Sequence, residues 1–317
     1  MVSSIRKKTA AAAAAGAAAA LGALALYLPY DTAFRSPHRG QNEICRMPEG
    51  DQYAPWAEDM QSLVRTLLRE PFEWVSVRSR DGLRLTGRLY LRGGPEAPVD
   101  LCFHGWRGTG VRDFGGGAYY LLTQGHNVLI PDQRAQGESE GHTMTFGVRE
   151  RYDVLTWLEF MAGREDLAGP VTLYGVSMGA STVLLASALD LPERVTHIVA
   201  DSPYSSPAAI LEKVSRDMGL PGKPSLALLR GGAALFGGFS FHGVSCVEAV
   251  KHTKVPILLI HGEEDRFVPL EMSREIAAAN PAMVKLVTFP EAAHGISYVV
   301  DREGYTRALK EFLDSTW

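Results

Sequence analysis

The chain has 317 residues, of which 46% are hydrophobic, and a formal net charge of -4 at pH 7. This length accommodates one large α/β domain or two small ones, with a sizeable core. The mildly acidic balance, without a Lys/Arg stripe in the body of the chain, argues against a nucleic-acid partner.

Cysteine and histidine spacing gives no sign of a metal site or another cofactor. Cys45, Cys102 and Cys246 are far apart and form no C-x-x-C pair, and the nine histidines show no ligand spacing. Cys102 lies in an apolar strand pattern and is expected to be a buried thiol. A disulfide between Cys45 and Cys246 is the only pairing that the sequence leaves open.

Residues 1–30 have the composition of a membrane-targeting segment. The basic group Arg6-Lys7-Lys8 precedes an uncharged, Ala-rich run from Thr9 to Leu28. A run of roughly 20 apolar residues can span a bilayer. The sequence therefore predicts a single-pass anchor with the body of the chain outside the cytoplasm, since basic residues stay on the cytoplasmic side. A cleaved signal peptide, which would release a secreted protein, is the alternative.

Residues 31–71 are predicted to form a linker and a lead-in helix. Over residues 58–69, Met60, Leu63 and Leu67 recur on one side of a helical pattern. Two segments that alternate apolar and polar residues follow, over 73–78 and 83–91, with Asp81-Gly82 between them. This arrangement predicts a β-hairpin.

From Val99 onward, strand patterns alternate with helix patterns, which predicts a parallel sheet with helices on both faces. The predicted strands are 99–103, 127–130, 171–174, 195–200, 255–260 and 284–289, and the predicted helices are 116–124, 148–161, 177–189, 271–279 and 298–313. About fifty residues separate the fourth and fifth of these strands. Two apolar helix-like segments there, 208–218 and 226–236, predict an inserted lid over about 203–250. Both segments are strongly apolar on one side.

The segment Gly175-Val-Ser177-Met178-Gly179 follows a predicted strand and precedes a predicted helix. This context is typical of a nucleophile elbow, a sharp turn that exposes a serine hydroxyl at the edge of a sheet. The two flanking positions are glycine because a side chain would collide with neighbouring backbone. We expect Ser177 to be the nucleophile and the Met178 N–H to be one donor of an oxyanion hole.

A serine nucleophile needs a base, and the base needs an acid that orients it. Asp265 follows the 255–260 strand and His294 follows the 284–289 strand, which gives the order Ser, Asp, His. Asp265 is therefore the predicted acid and His294 the predicted base. The alternatives are Asp201, Glu263 and Glu264 for the acid, and His104 and His261 for the base.

The glycine-rich loop after the 99–103 strand is expected to supply the second oxyanion donor, through the Trp106 N–H. The indole of Trp106 would then lie beside the acyl pocket or against the lid. Tyr204 and Phe267 are candidates for lining the substrate pocket, with a purely structural role as the alternative. Asp132 and Arg134 follow the next strand and are predicted to form an internal ion pair that holds their loop.

Together these residues resemble the α/β-hydrolase superfamily, and more specifically the bacterial membrane-anchored hydrolases that are similar to serine aminopeptidases. The matching segments are His104-Gly105, Asp132-x-Arg134-x-x-Gly137-x-Ser139, the elbow, Asp201-Ser-Pro-Tyr204, His261-Gly-x-x-Asp265, Val268-Pro269 and His294. The resemblance implies an α/β-hydrolase fold over 72–317, with a mostly parallel sheet, a small helical lid, a Ser-His-Asp triad and no cofactor.

The predicted function is hydrolysis of carboxylic esters through an acyl-enzyme on Ser177. A peptidase or amidase, an acyltransferase, and a non-catalytic binding protein of the same fold are the alternatives. The expected partners are a small-molecule ester or peptide substrate and a membrane contacted through the N-terminal helix. The sequence gives no indication of the oligomeric state.

Overall fold

Eight strands form one sheet in the computed structural model, which describes residues 2–36 and 47–315, with side chains from residue 15 onward. The strands are β1 (Glu73–Arg78), β2 (Arg84–Tyr90), β3 (Val99–Phe103), β4 (Asn127–Pro131), β5 (Val171–Val176), β6 (Val195–Asp201), β7 (Ile257–Gly262) and β8 (Val284–Phe289). Their order across the sheet is β1-β2-β4-β3-β5-β6-β7-β8. The hairpin β1–β2 and the pair β2–β4 are antiparallel, and all other neighbours are parallel.

Helices cover both faces of this sheet. They are α1 (Val2–Ala33), α2 (Ala57–Leu67), α3 (Gly110–Thr123), α4 (Glu150–Ala162), α5 (Met178–Ala186), α6 (Pro207–Asp217), α7 (Gly222–Phe236), α8 (Cys246–Val250), α9 (Leu270–Ala279), α10 (Ser297–Val300) and α11 (Arg302–Leu313). One face packs against α4, α5, α8 and α9, and the other against α2, α3 and α11. Strands β3, β5 and β7 are consequently buried along almost their whole length, which explains why they read as continuous apolar runs.

Several element boundaries differ from those predicted, and capping groups or prolines account for three of them. Helix α3 begins at Gly110 rather than at residue 116 because the Thr109 hydroxyl accepts a hydrogen bond from the Arg112 N–H. The predicted C-terminal helix is divided at Asp301, whose carboxylate caps α11 by accepting from the Gly304 N–H. Strand β7 starts at Ile257, directly after Pro256, because proline has no N–H to contribute to the ladder.

The segment between β6 and β7, where the lid is predicted, contains α6, α7 and the short helix α8. Helices α6 and α7 share an apolar cluster with the end of α1, in which Tyr30 is 6% exposed and Phe34 is 0% exposed. Helix α1 continues through Pro29 to Ala33 instead of ending at residue 30. A Cβ on Gly232 of α7 would lie 2.5 Å from the Leu26 carbonyl oxygen, so the two helices are in close contact. Residues 26–34 are therefore a packed part of the domain.

Among the residues that the structure describes, no helix has both the length and the apolar character that crossing a membrane requires. The side chains of Arg6, Lys7 and Lys8 and of residues 9–14 lie outside the described ones, so the N-terminal anchor remains a prediction. Cys45 also lies outside the described residues, whereas Cys102 and Cys246 are buried free thiols.

Candidate active site

Ser177 lies at the turn between β5 and α5 with a φ of 56°, a backbone conformation that is strained for a residue other than glycine. A Cβ on Gly175 would lie 2.3 Å from the carbonyl group of Gly179. A Cβ on Gly179 would lie 1.8 Å from the Phe103 carbonyl oxygen. Neither position can hold a side chain without moving backbone, which is the physical reason for the G-x-S-x-G pattern.

Of the three residues predicted to form a triad, His294 lies within hydrogen-bonding distance of both Ser177 and Asp265. His294 Nε2 is 2.8 Å from Ser177 Oγ, and His294 Nδ1 is 2.7 Å from Asp265 Oδ2. The other carboxylate oxygen, Asp265 Oδ1, accepts hydrogen bonds from the backbone N–H groups of Phe267 (2.9 Å) and Val268 (2.8 Å). These contacts hold the carboxylate in one orientation beside the imidazole.

Opposing effects set the ionisation of Asp265 and His294. Burial by itself raises the pKa of Asp265, but the charge of His294 and the hydrogen bonds from His261 and His294 lower the pKa well below its usual range. Burial lowers the pKa of His294, whereas the adjacent Asp265 carboxylate raises it, and the net pKa is above the ordinary value for histidine. The site thus favours an ionised carboxylate next to an imidazole that readily accepts a proton.

The alternative acids Asp201, Glu263 and Glu264 lie in surroundings that differ from those of Asp265. Asp201 Oδ1 accepts a hydrogen bond from the Ser202 hydroxyl at 2.9 Å, and burial raises the pKa of Asp201 to about 6. The Asp201 carbonyl oxygen accepts from the Ser177 N–H at 2.8 Å, so this residue supports the elbow from below. Glu263 and Glu264 are exposed on the loop before Asp265.

The alternative bases are both buried in structural contacts. His261 lies between the Ser273 hydroxyl, 2.7 Å from Nδ1, and the Val268 carbonyl oxygen, 2.9 Å from Nε2. Its Nε2 is also 3.3 Å from Asp265 Oδ2, so His261 supports the carboxylate that contacts His294. His104 Nε2 accepts a hydrogen bond from the Gln133 N–H at 3.1 Å.

The loop after β3 carries the predicted oxyanion donor. No acceptor among the described residues takes the backbone N–H of Trp106 or of Met178, so both groups are available to a ligand. The Trp106 indole Nε1 donates to the Ala33 carbonyl oxygen at 2.9 Å, which ties this loop to the end of α1. The role of these two N–H groups in an oxyanion hole stays a prediction.

Asp113 holds the same loop in place, a role that was not predicted from the sequence. Its carboxylate accepts from the Gly105 N–H at 2.7 Å and from the Arg112 Nε at 2.7 Å. Burial raises the pKa of Asp113, but the nearby charge of Arg112 and its hydrogen bond to Asp113 lower it. The lowering effects are larger together, so the net pKa is below the usual value. An adjacent Arg-Asp pair at the start of a helix that follows a glycine-rich loop is the sequence signal that could have indicated this role.

The predicted ion pair between Asp132 and Arg134 is wrong. Arg134 instead forms a two-fold contact with Asp153 of α4, with Nε 2.7 Å from Oδ2 and Nη2 2.7 Å from Oδ1, and it also bonds Asp81. Asp132 accepts from the Glu138 N–H at 3.0 Å and closes its own turn. The guanidinium of Arg134 thus bonds carboxylates that are 19 and 53 residues away in sequence, and not the carboxylate two residues before it.

Two cavities meet at Ser177. One, here called the apolar cavity, has a volume of about 540 Å³ and lies between the end of α1 and helices α6 and α7. The other, here called the polar cavity because Glu49, Arg112, Asp113 and His294 are among its lining residues, has a volume of about 460 Å³ and lies between α2, α3 and the loop that carries His294. Ser177, Trp106 and Phe267 line both cavities.

Tyr204 and Phe267, the two residues predicted to line the substrate pocket, differ in exposure and in the cavities that they line. Tyr204 lines the apolar cavity but is only 2% exposed and packs against Phe146, so it serves the core and the cavity wall together. Phe267 is 38% exposed and its ring centroid lies 5.1 Å from that of His294, at the boundary between the cavities. Within the part of the chain that the structure describes, no group of three or more His, Cys, Asp or Glu side chains is arranged to hold a metal ion.

Comparison with known proteins agrees with this architecture. A model of the alpha/beta hydrolase fold family matches residues 101–227, and a model of the dienelactone hydrolase family matches residues 220–312. The chain is 26% identical over 198 residues to the uncharacterized protein YqkD of Bacillus subtilis, which covers 62% of this chain and 65% of that protein. The chain therefore spans slightly less than two thirds of that relative.

Two further matches cover more of the protein with which the chain is compared. The bifunctional esterase/perhydrolase DCH of Acinetobacter calcoaceticus is 24% identical over 278 residues, covering 75% of this chain and 99% of that protein. The solved structure of the Pyrococcus furiosus esterase Pf2001 superposes with a TM-score of 0.61 at 23% identity, covering 78% of this chain and 93% of that one. The predicted α/β-hydrolase fold class is confirmed, and the chain is similar to proteins of the α/β-hydrolase superfamily.

Proposed function

We propose that this protein is a serine hydrolase that cleaves carboxylic esters through an acyl-enzyme on Ser177. The observation that supports it most directly is the unbroken path of hydrogen bonds from Ser177 Oγ through His294 to Asp265. Two of the proteins to which the chain is similar carry the description esterase, which favours an ester over an amide.

The geometry suits the following sequence of steps. His294 Nε2 takes the Ser177 hydroxyl proton while Oγ attacks the ester carbonyl carbon, and the negative charge that develops on oxygen is stabilised by the free N–H groups of Trp106 and Met178. The imidazolium then gives its proton to the departing alcohol oxygen, and the acyl group remains on Ser177. Water attacks the acyl-enzyme in the same way and releases the acid. Asp265 keeps the proton of the neutral imidazole on Nδ1 throughout.

The experiment uses the full chain, because α1 packs into the domain. Hydrolysis of p-nitrophenyl butyrate and of an aminoacyl p-nitroanilide is measured for the wild type, Ser177→Ala and the exposed-site control Ser62→Ala. We expect ester turnover in the wild type and the control, and its loss in Ser177→Ala together with loss of fluorophosphonate labelling. Faster turnover of the anilide than of the ester would replace this proposal with the aminopeptidase-like alternative. A folded wild type that turns over neither substrate and takes no label would favour a non-catalytic protein.

We further propose that residues 1–30 anchor the protein in a membrane with the catalytic domain outside the cytoplasm, and that signal cleavage is the alternative. The basic Arg6-Lys7-Lys8 group before an uncharged Ala-rich run supports this. Carbonate extraction of membranes, with N-terminal sequencing of the recovered chain, separates the two. Recovery of the intact chain in the supernatant would contradict both.

A further inference from the structure

The two cavities at Ser177 differ in which reacting groups they contact. His294 lines the polar cavity and not the apolar one, whereas Met178, a predicted oxyanion donor, lines the apolar cavity and not the polar one. In ester cleavage the histidine must deliver a proton to the departing alcohol oxygen. The alcohol therefore has to lie on the His294 side of the serine.

We propose that the apolar cavity binds the acyl group, that the polar cavity binds the alcohol, and that the end of α1 is the wall that limits acyl length. This proposal rests on the proposed esterase function and names its substrate class. That class is an ester of a long or bulky hydrocarbon acid with a polar alcohol.

The chemistry of the linings fits this division. The apolar cavity is walled by aliphatic side chains of three helices, among them Leu28 of α1, Ile210 and Leu211 of α6, and Leu229 of α7. Each methylene that leaves water for such a cavity improves binding roughly fourfold. The polar cavity has apolar walls as well, such as Met60 and Leu63, but it differs from the apolar cavity in carrying Glu49, Tyr53 and Arg112, which can contact a hydroxylated or charged alcohol.

Helix α1 is fixed to the reacting centre and is therefore a specificity element. The Ala33 carbonyl oxygen accepts from the Trp106 indole at 2.9 Å, and Arg107 of the same loop donates to the Thr32 carbonyl oxygen at 2.9 Å. Leu28, Thr32 and Ala33 also line the apolar cavity. A change of side-chain size at these positions alters the depth available to the acyl chain without touching Ser177, His294 or Asp265.

One substitution on each side tests the assignment. Ala33→Leu adds three carbon atoms to the wall of the apolar cavity. Gly117→Leu adds a side chain to the polar cavity, at a position of α3 where a new Cβ would meet nothing within 4 Å. The control is Ala25→Leu, which makes the same change on an exposed part of α1 that lines neither cavity. Ala33→Val provides a smaller step should Ala33→Leu fold poorly.

Two ester series give the readout: p-nitrophenyl esters from acetate to decanoate, and butyrate esters of alcohols of increasing size. For the wild type we expect kcat/KM to rise with acyl length. In Ala33→Leu the ratio of decanoate to butyrate should fall by roughly 60-fold, which is three methylenes at about fourfold each, with the alcohol series unchanged. Gly117→Leu should reduce turnover of the larger alcohols only, and Ala25→Leu should match the wild type.

Other results overturn the proposal in distinguishable ways. A wild type that hydrolyses esters but prefers acetate contradicts the acyl assignment, and so does an Ala33→Leu profile equal to that of the wild type. An effect of Ala33→Leu on the alcohol series would mean that the alcohol, and not the acyl group, occupies the apolar cavity. A folded wild type that hydrolyses no ester removes the esterase function and this inference with it.

Discussion

The substitution Asp265→Asn tests how the triad is oriented. The backbone contacts of this side chain favour only one of the two orientations that the new asparagine amide could take. Asp265 Oδ1 accepts two backbone N–H groups, at 2.9 Å and 2.8 Å, so the carbonyl oxygen of the new asparagine must occupy that site. Its NH₂ group then faces His294 Nδ1, which is 2.7 Å from Oδ2 in the native protein. An NH₂ donor forces Nδ1 to be an acceptor and moves the imidazole proton to Nε2. His294 can then no longer take the proton of Ser177.

The size of the effect follows from the cost of the opposite amide orientation. Turning the amide would restore the active tautomer but would place NH₂ against two buried N–H donors. Each buried donor left without an acceptor costs about 1–3 kcal/mol, so the active form lies about 2–6 kcal/mol higher. At about 1.4 kcal/mol per factor of ten, this corresponds to a loss of kcat/KM of roughly 30- to 20,000-fold.

The assay is steady-state hydrolysis of p-nitrophenyl butyrate at pH 7.5, with thermal unfolding to show that the variant is folded. Asp201→Asn is the matched control, since this buried carboxylate bonds Ser202, whereas the described hydrogen bonds of the His294 ring go to Ser177 and Asp265. We expect its kcat/KM to stay within about tenfold of the wild type. Retention of more than a tenth of the activity by a folded Asp265→Asn variant, or a larger loss in Asp201→Asn, would refute the orientation argument.

Three further predictions concern pH, the buried ion pair and the elbow. Because the pKa of His294 is raised above 6.5 and the base must be neutral, kcat/KM should rise with pH through a midpoint above 6.5. Arg134→Met leaves Asp153 buried without its cation, and urea unfolding should show a loss of about 3–5 kcal/mol. Gly179→Ala should abolish folding or activity, since its Cβ would lie 1.8 Å from a carbonyl oxygen of β3. The matched control for Gly179→Ala is Gly117→Ala, on an open part of α3, which should stabilise the fold by about 0.5–1 kcal/mol in thermal unfolding.

Each of these three has a result that would count against it. A pH midpoint below 6.5 would mean that burial outweighs the Asp265 carboxylate at His294. A loss below about 1 kcal/mol in Arg134→Met would show that water reaches Asp153. A fully active Gly179→Ala variant would show that the elbow can move away from β3.

Local sequence patterns determined the succession of strands and helices along the chain and the choice of candidate reacting residues. The elbow was recognisable because strand, turn and helix are contiguous around Ser177, and the glycines at 175 and 179 follow from contacts within or beside that turn. Asp265 and His294 were proposed because each lies in the loop after a strand, β7 or β8, and the carboxyl ends of parallel strands meet at one edge of the sheet. These signals depend on near neighbours, which the sequence displays.

Only the tertiary structure decided what surrounds those residues. Arg134 bonds Asp153 and Asp81 rather than Asp132, and Trp106 bonds a carbonyl oxygen of α1 that lies 73 residues away. The apolar cavity likewise takes its walls from α1, α6 and α7, and its separation from the polar cavity depends on where the rings of Trp106 and Phe267 lie. Such contacts join residues with no regular spacing in the chain, so periodicity and motif order carry no record of them. The candidate reacting groups were therefore predictable from the sequence, whereas the shape of the cavities around them was fixed only by packing.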